Sequence, residues 1–83
     1  MFAKEPFPEK TSTLCKGYLK DLVNAVESLN LSEQQKASGF VEMLCNRRCM
    51  ISLEWFYRNY RNHPSPFVKQ IAEKAYDNLK HLR

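Results

Sequence analysis

Few side chains in this 83-residue sequence could carry covalent or metal chemistry: Cys15, Cys45, Cys49, His63 and His81. Cys45 and Cys49 are four positions apart, one turn if the segment is helical, and Cys15, His63 or His81 could complete a tetrahedral zinc site with them. The sequence lacks the close cysteine pairs of common zinc modules, and small thiols beside an apolar stripe ordinarily serve packing. No metal and no cofactor are therefore expected. Three cysteines are an odd number and too few for a disulfide-stapled secreted domain, which predicts reduced thiols. His63 stands before Pro64 and His81 two residues from Arg83, neither within a nucleophile–base motif. The carboxylates show no acid–base pairing, and two glycines outside any loop motif exclude a phosphate-cradling loop. The expectation is a non-enzymatic protein with no catalytic residue.

The segment Glu54-Trp55-Phe56-Tyr57-Arg58-Asn59-Tyr60-Arg61-Asn62-His63 is the most distinctive, with four aromatics and two arginines in ten positions. A helix here cannot turn all of them toward one core. If Phe56 and Tyr60 point inward, Arg58, Arg61 and Tyr57 point outward, and Trp55 lies toward Ile51 and Arg58. Tyrosine, tryptophan and arginine dominate binding hot spots because they join large apolar area to polar tips. Arg47, Arg48, Trp55, Tyr57, Arg58, Tyr60 and Arg61 are accordingly the expected partner-binding residues.

The elements that must position them read as helices. β-branched residues never alternate, and prolines occur only at 6, 8, 64 and 66. Residues 1–10 form an irregular arm whose Phe2 and Phe7 can fold back on the body. From Thr11 to about Leu29, Leu14, Cys15, Tyr18, Leu19, Leu22, Val23, Val26 and Leu29 recur at helical spacing, with Thr11, Ser12 or Thr13 as cap and Asn30 as terminator. Gly17 inside this helix either admits a close neighbour or is merely tolerated. Ser32 and Gln35 form a capping-box pattern for the next helix. Its stripe of Ala37, Phe40, Val41, Leu44 and Cys45 differs in phase by roughly 120° from that of Cys49, Leu53, Phe56 and Tyr60. A break near Arg48 to Ser52, with Ser52 as cap, resolves the mismatch. Asn62-His63-Pro64 ends the third helix, Ser65 caps the fourth, and Pro66 enters its first turn. Val68, Ile71, Ala72, Ala75, Tyr76, Leu79 and Leu82 give that last helix one apolar face.

These stripes predict one all-α domain, a small four-helix bundle, with three helices around a long, kinked central helix as the alternative. No apolar run reaches the roughly 18 residues that cross a bilayer, and the N-terminal residues lack a secretory signal, which predicts no membrane partner and a cytoplasmic location. The formal net charge of +4 is uneven: five basic and six acidic residues in 1–46, eight and three in 47–83. The basic half points to an anionic partner. The favoured function is an inhibitor, regulator or adaptor that meets an acidic surface on a larger protein. Small bacterial and phage inhibitors of defence systems and toxin-neutralising immunity proteins have a similar build, a likeness of architecture alone. The alternative is a nucleic-acid-binding regulator using the basic C-terminal half, and a homodimer through Met50, Ile51 and Trp55 is a separate expectation.

Overall fold

A computed structural model describes residues 5–83, so Phe2 and Ala3 of the expected arm lie outside the described residues. The described chain is all-helical, as its periodicity predicts: α1 (Thr13–Glu27), α2 (Leu31–Gln34), α3 (Ala37–Asn46), α4 (Met50–Tyr60) and α5 (Pro66–Leu82). Four are full helices and α2 is a single turn. The bundle therefore has two helices, not one long kinked one, between Ala37 and Tyr60.

Ser12 caps α1, its hydroxyl accepting from the Cys15 N–H at 3.1 Å. The helix stops at Glu27, short of Leu29, because Ser28 turns extended. Asn30 does not terminate α1. Its side chain accepts from Ser32 and Glu33 N–H and caps α2 instead, so the Ser32–Gln35 box does not form. Asn30, two residues earlier, starts the helix ahead of Ser32, and the Gln34 and Gln35 N–H groups donate to the backbone carbonyls of Asn30 and Leu31. Leu29 is consequently left fully exposed and Leu14 half exposed, both off the core where periodicity had put them.

α3 runs antiparallel along α1, with α2 at one end of the pair. At the other end α3 closes in a Schellman turn: Arg48 N–H donates to Cys45 O and Cys49 N–H to Leu44 O, both at 2.9 Å, with Arg48 in the left-handed region at φ 54°. A non-glycine residue there costs about 1 to 2 kcal/mol. Cys49 and Leu44, which flank the turn, are both buried. Beyond it Cys49 is bonded to Cys15, so two of the three thiols form a disulfide and only Cys45 is free. The expectation of reduced thiols fails because folding brings together two cysteines 34 positions apart, with Cα atoms 5.8 Å from each other.

The turn re-phases the chain. α4 buries Leu53, Trp55, Phe56, Asn59 and Tyr60, while α5 buries Val68, Ile71, Ala72, Ala75 and Leu79. Ser52 is no cap: it lies inside α4, fully buried, and its hydroxyl makes no hydrogen bond among the described residues. At α5 the expected start holds, Ser65 accepting from Val68 N–H with Pro66 in the first turn. A small core of this size leaves modest stability in reserve.

A disulfide closing a loop of this length stabilises by roughly 3 to 4 kcal/mol through the unfolded chain. Cys15→Ser/Cys49→Ser is expected to lower Tm by roughly 10 to 25 °C in thermal circular dichroism, and reductant to do the same to the parent. A Cβ placed at Gly17 meets nothing within 4 Å among the described residues, so this helical glycine serves no close contact among them. Gly17→Ala is expected to stabilise by about 0.5 to 1 kcal/mol in urea unfolding.

Candidate interaction surfaces on helix α4

The seven expected partner-binding residues divide into four environments. Trp55 is only 4% exposed, its indole N–H donating to the Pro6 carbonyl at 2.8 Å and its ring stacked on Phe7 at 4.9 Å. Tyr60 is fully buried, stacked on Phe56 at 4.7 Å, with its hydroxyl donating to the Glu27 carboxylate. Neither ring is on the surface, contrary to the expectation. The reason is tertiary: the N-terminal arm covers one edge of α4, and α1 meets another.

Arg58 does point outward, but its guanidinium is engaged. Nε and Nη2 donate to the two Glu5 carboxylate oxygens at 3.1 and 3.0 Å, and Nη1 donates to Glu54 at 3.1 Å. The hydrogen bond to Glu5 is the main influence holding this guanidinium above its ordinary titration range. Arg47 lies over the Tyr18 ring, 5.1 Å from its centroid, and Arg48 is exposed in the left-handed turn. Both belong to the α3–α4 junction, at the opposite end of α4 from Arg61.

Tyr57 and Arg61 meet the expectation of an outward face, and they are joined by two residues that hot-spot composition alone did not single out. Tyr57 stacks on Tyr76 of α5 with ring centroids 4.4 Å apart and an interplanar angle of 21°. Arg61 lies over the Tyr57 ring at 5.6 Å, and Lys80 over the Tyr76 ring at 5.0 Å. A cation, two rings and a second cation thus bridge the antiparallel pair α4 and α5. Both tyrosines are half-buried, and Arg61 and Lys80 are exposed. Such contacts are worth about 0.5 to 1 kcal/mol each at the surface and hold the side chains in place. Lys80 stands four residues after Tyr76, one turn along α5, and that spacing was the available signal. The stacking of Tyr76 on Tyr57 required the helix pairing.

Other cations are drawn onto carboxylates. Lys74 donates to Ser38 Oγ at 2.7 Å and to Glu42 at 3.2 Å, Arg83 to Glu54 at 2.9 Å, and Lys80 is 3.6 Å from Asp77. Among the described residues no three His, Cys, Asp or Glu side chains are grouped to hold a metal. No described helix is long and apolar enough to cross a membrane.

A groove of about 380 Å³ lies between the end of α1 and the start of α5, lined by Glu27, Gln34, His63 and Ser65 among others. Its polar groups largely serve one another. His63 Nδ1 accepts from the Ser65 N–H at 3.0 Å, Gln34 donates to Ser28 O at 2.6 Å, and Glu27 accepts from Tyr60. The last bond fixes α4 to α1 across the core.

Burial first, then the hydrogen bond to Glu27 and that residue's negative charge, raises the Tyr60 phenol well above its ordinary value of 10.0. Because the folded state holds this proton more tightly than the unfolded chain, the stabilisation is complete below pH 10 and is lost as pH rises beyond it. Tyr60→Phe is expected to cost about 1 to 2 kcal/mol at neutral pH and to flatten the alkaline decline. Urea unfolding of both proteins between pH 7 and 11 measures each effect.

Compared with known proteins, the chain matches no family model, no curated protein and no solved structure.

Proposed function

We propose that the protein is a non-enzymatic interaction module that docks on an acidic surface of a larger protein, as an inhibitor, regulator or adaptor. The observation that supports this reading is the Arg61–Tyr57–Tyr76–Lys80 stack. It offers aromatic area already ordered by packing, flanked by cations that remain in solvent. Pre-ordered aromatics lose little rotamer freedom on docking, and rim cations steer association with carboxylates. The mechanism is steric: the stack anchors the module, and the helical body covers the partner's own site. Outside the stack, Arg58, Lys74 and Arg83 each already meet a carboxylate, which lessens the charge left for phosphates and ranks nucleic acid second. A homodimer is the third reading: Ile51 is half exposed, yet the burial of Trp55 shrinks the apolar patch expected around it.

Two features of the proposal changed with the fold. The binding set contracts to Tyr57 and Arg61 and gains Tyr76 and Lys80. The cytoplasmic location was read from the N-terminal residues, whereas the Cys15–Cys49 bond is of the kind that persists in oxidising compartments.

Affinity capture from the native host lysate, with and without nuclease, checks the reading. Tyr57→Ala/Arg61→Ala is expected to reduce capture of the protein partner at least about tenfold, near 1.4 kcal/mol, while Lys69→Ala leaves it unchanged. Capture that vanishes with nuclease and falls with every lysine removed would instead assign the surface to nucleic acid.

A further inference from the structure

Residues Glu5, Pro6 and Phe7 engage three side chains along one strip of α4, Trp55, Arg58 and Asn59. The Glu5 N–H donates to Asn59 Oδ1 at 2.7 Å, and the Glu5 carboxylate receives the two-pronged Arg58 guanidinium. The Pro6 carbonyl accepts from the Trp55 indole, and the Phe7 ring lies on the same indole. Asn59 Nδ2 in turn donates to Trp55 O at 2.8 Å, which orients the amide that receives the arm. Trp55, Arg58 and Asn59 thus read two main-chain groups, an acid and an aromatic ring along a short stretch of chain. Main-chain bonds set register, and the arginine fork and aromatic platform select side chains, the division of labour found in peptide-recognition sites.

The arm fills this strip incompletely. Glu5 and Pro6 stay exposed, as does Phe7 at 44%. A cavity of about 200 Å³ is bounded by Phe7 and Pro8 on one side and Lys16, Leu19 and Lys20 of α1 on the other. Neither lysine pairs with a carboxylate among the described residues. Beyond the aromatic position, then, the groove in which the arm lies opens onto α1, with unfilled space beside two cations.

We propose that this groove is a peptide-binding site for a partner-protein segment in which an acidic residue, a proline and an aromatic residue are followed by acidic side chains. Residues 5–7 are its intramolecular competitor. Arg58 takes the leading acid, Trp55 the aromatic ring, and Lys16 and Lys20 the trailing acids, a pairing that the arm's own Glu9 does not make among the described residues. A tethered segment on a short linker acts at an effective concentration in the millimolar range, so the partner segment must gain from the cavity and the lysines to displace it. The site lies on the other edge of α4 from the tyrosine stack, uses neither Tyr57 nor Arg61, and stands or falls independently of the function proposed above.

Trp55 is the only tryptophan, so its emission reports occupancy of the strip directly. The peptide acetyl-Glu-Pro-Phe-Glu-Glu-amide is titrated into the full chain and into the Glu5→Ala/Phe7→Ala variant, with Lys-Pro-Phe-Lys-Lys as control. The expected result is a saturable emission change with the acidic peptide alone, half-saturating at least about tenfold lower in the variant because its competitor is weakened. Lys16→Glu/Lys20→Glu is expected to abolish the advantage of the acidic peptide over acetyl-Glu-Pro-Phe-amide. Should the arm variant lose its helical signal, a benzophenone in place of the peptide's phenylalanine decides the matter in the unaltered chain. Cross-links at α4 or at Leu19 support the site, and cross-links elsewhere overturn it. A folded arm variant with no saturable change overturns it as well. A mass that doubles with concentration and returns to monomer in Glu5→Ala would assign the groove to the arm of a second copy and overturn the partner-segment reading.

Discussion

The turn at Arg47 to Cys49 is the constraint on which the remaining architecture depends. Arg48 adopts a left-handed conformation that side-chain-bearing residues disfavour, and the Cys15–Cys49 bond holds the turn against the start of α1. Without that turn, α3 would continue straight and carry the aromatic segment onto the wrong face. With it, α4 begins in a new phase, placing Phe56 and Tyr60 in the core and leaving Tyr57 and Arg61 at the surface. The disulfide also closes the end of the α1–α3 pair opposite α2. A small core thereby gains a covalent tie where its helices would otherwise fray.

From this placement follow two different uses of one helix. The edge of α4 that faces α5 bears the tyrosine pair, and its rings are held by each other and by cations above and below. The opposite edge bears Trp55, Arg58 and Asn59, whose polar atoms are met by the backbone and carboxylate of the N-terminal arm. Between them, the buried edge is pinned to α1 by the bond from Tyr60 to Glu27. Each edge is ordered by a different neighbour. A disturbance of the arm therefore changes the surroundings of Trp55 while the Tyr57–Tyr76 stack keeps its own support.

Charge is organised on the same principle. The excess of basic residues after position 46 does not form one field, because Glu5, Glu54, Glu42 and Asp77 draw Arg58, Arg83, Lys74 and Lys80 into local pairs. Exposed pairs of this kind contribute little to stability, yet they fix where the side chains lie. Arg61 is held on an aromatic ring, while Arg48 stands in the turn.

Much of this was legible in residue order alone. Helical periodicity, the cap candidates Thr11, Ser12 and Thr13, and Ser65 with Pro66 located α1 and α5, and the phase shift between Leu44 and Leu53 favoured a break over one long, kinked helix. These are local properties, set within one or two turns of chain, so sequence spacing carries them. Competition between near-equal caps was less legible: Asn30 and Ser32 both suit a helix start, and the choice of Asn30 left Leu29 outside the core. What only the tertiary structure decided are the contacts between residues far apart in sequence. Cys15 meets Cys49, Glu5 meets Arg58, Glu27 meets Tyr60, and Tyr57 meets Tyr76. Composition marked residues 54–63 as unusual, but which of those rings reach solvent depends on which neighbour covers each edge of α4. Helix packing and the path of the arm determine that, and no spacing within the segment encodes it.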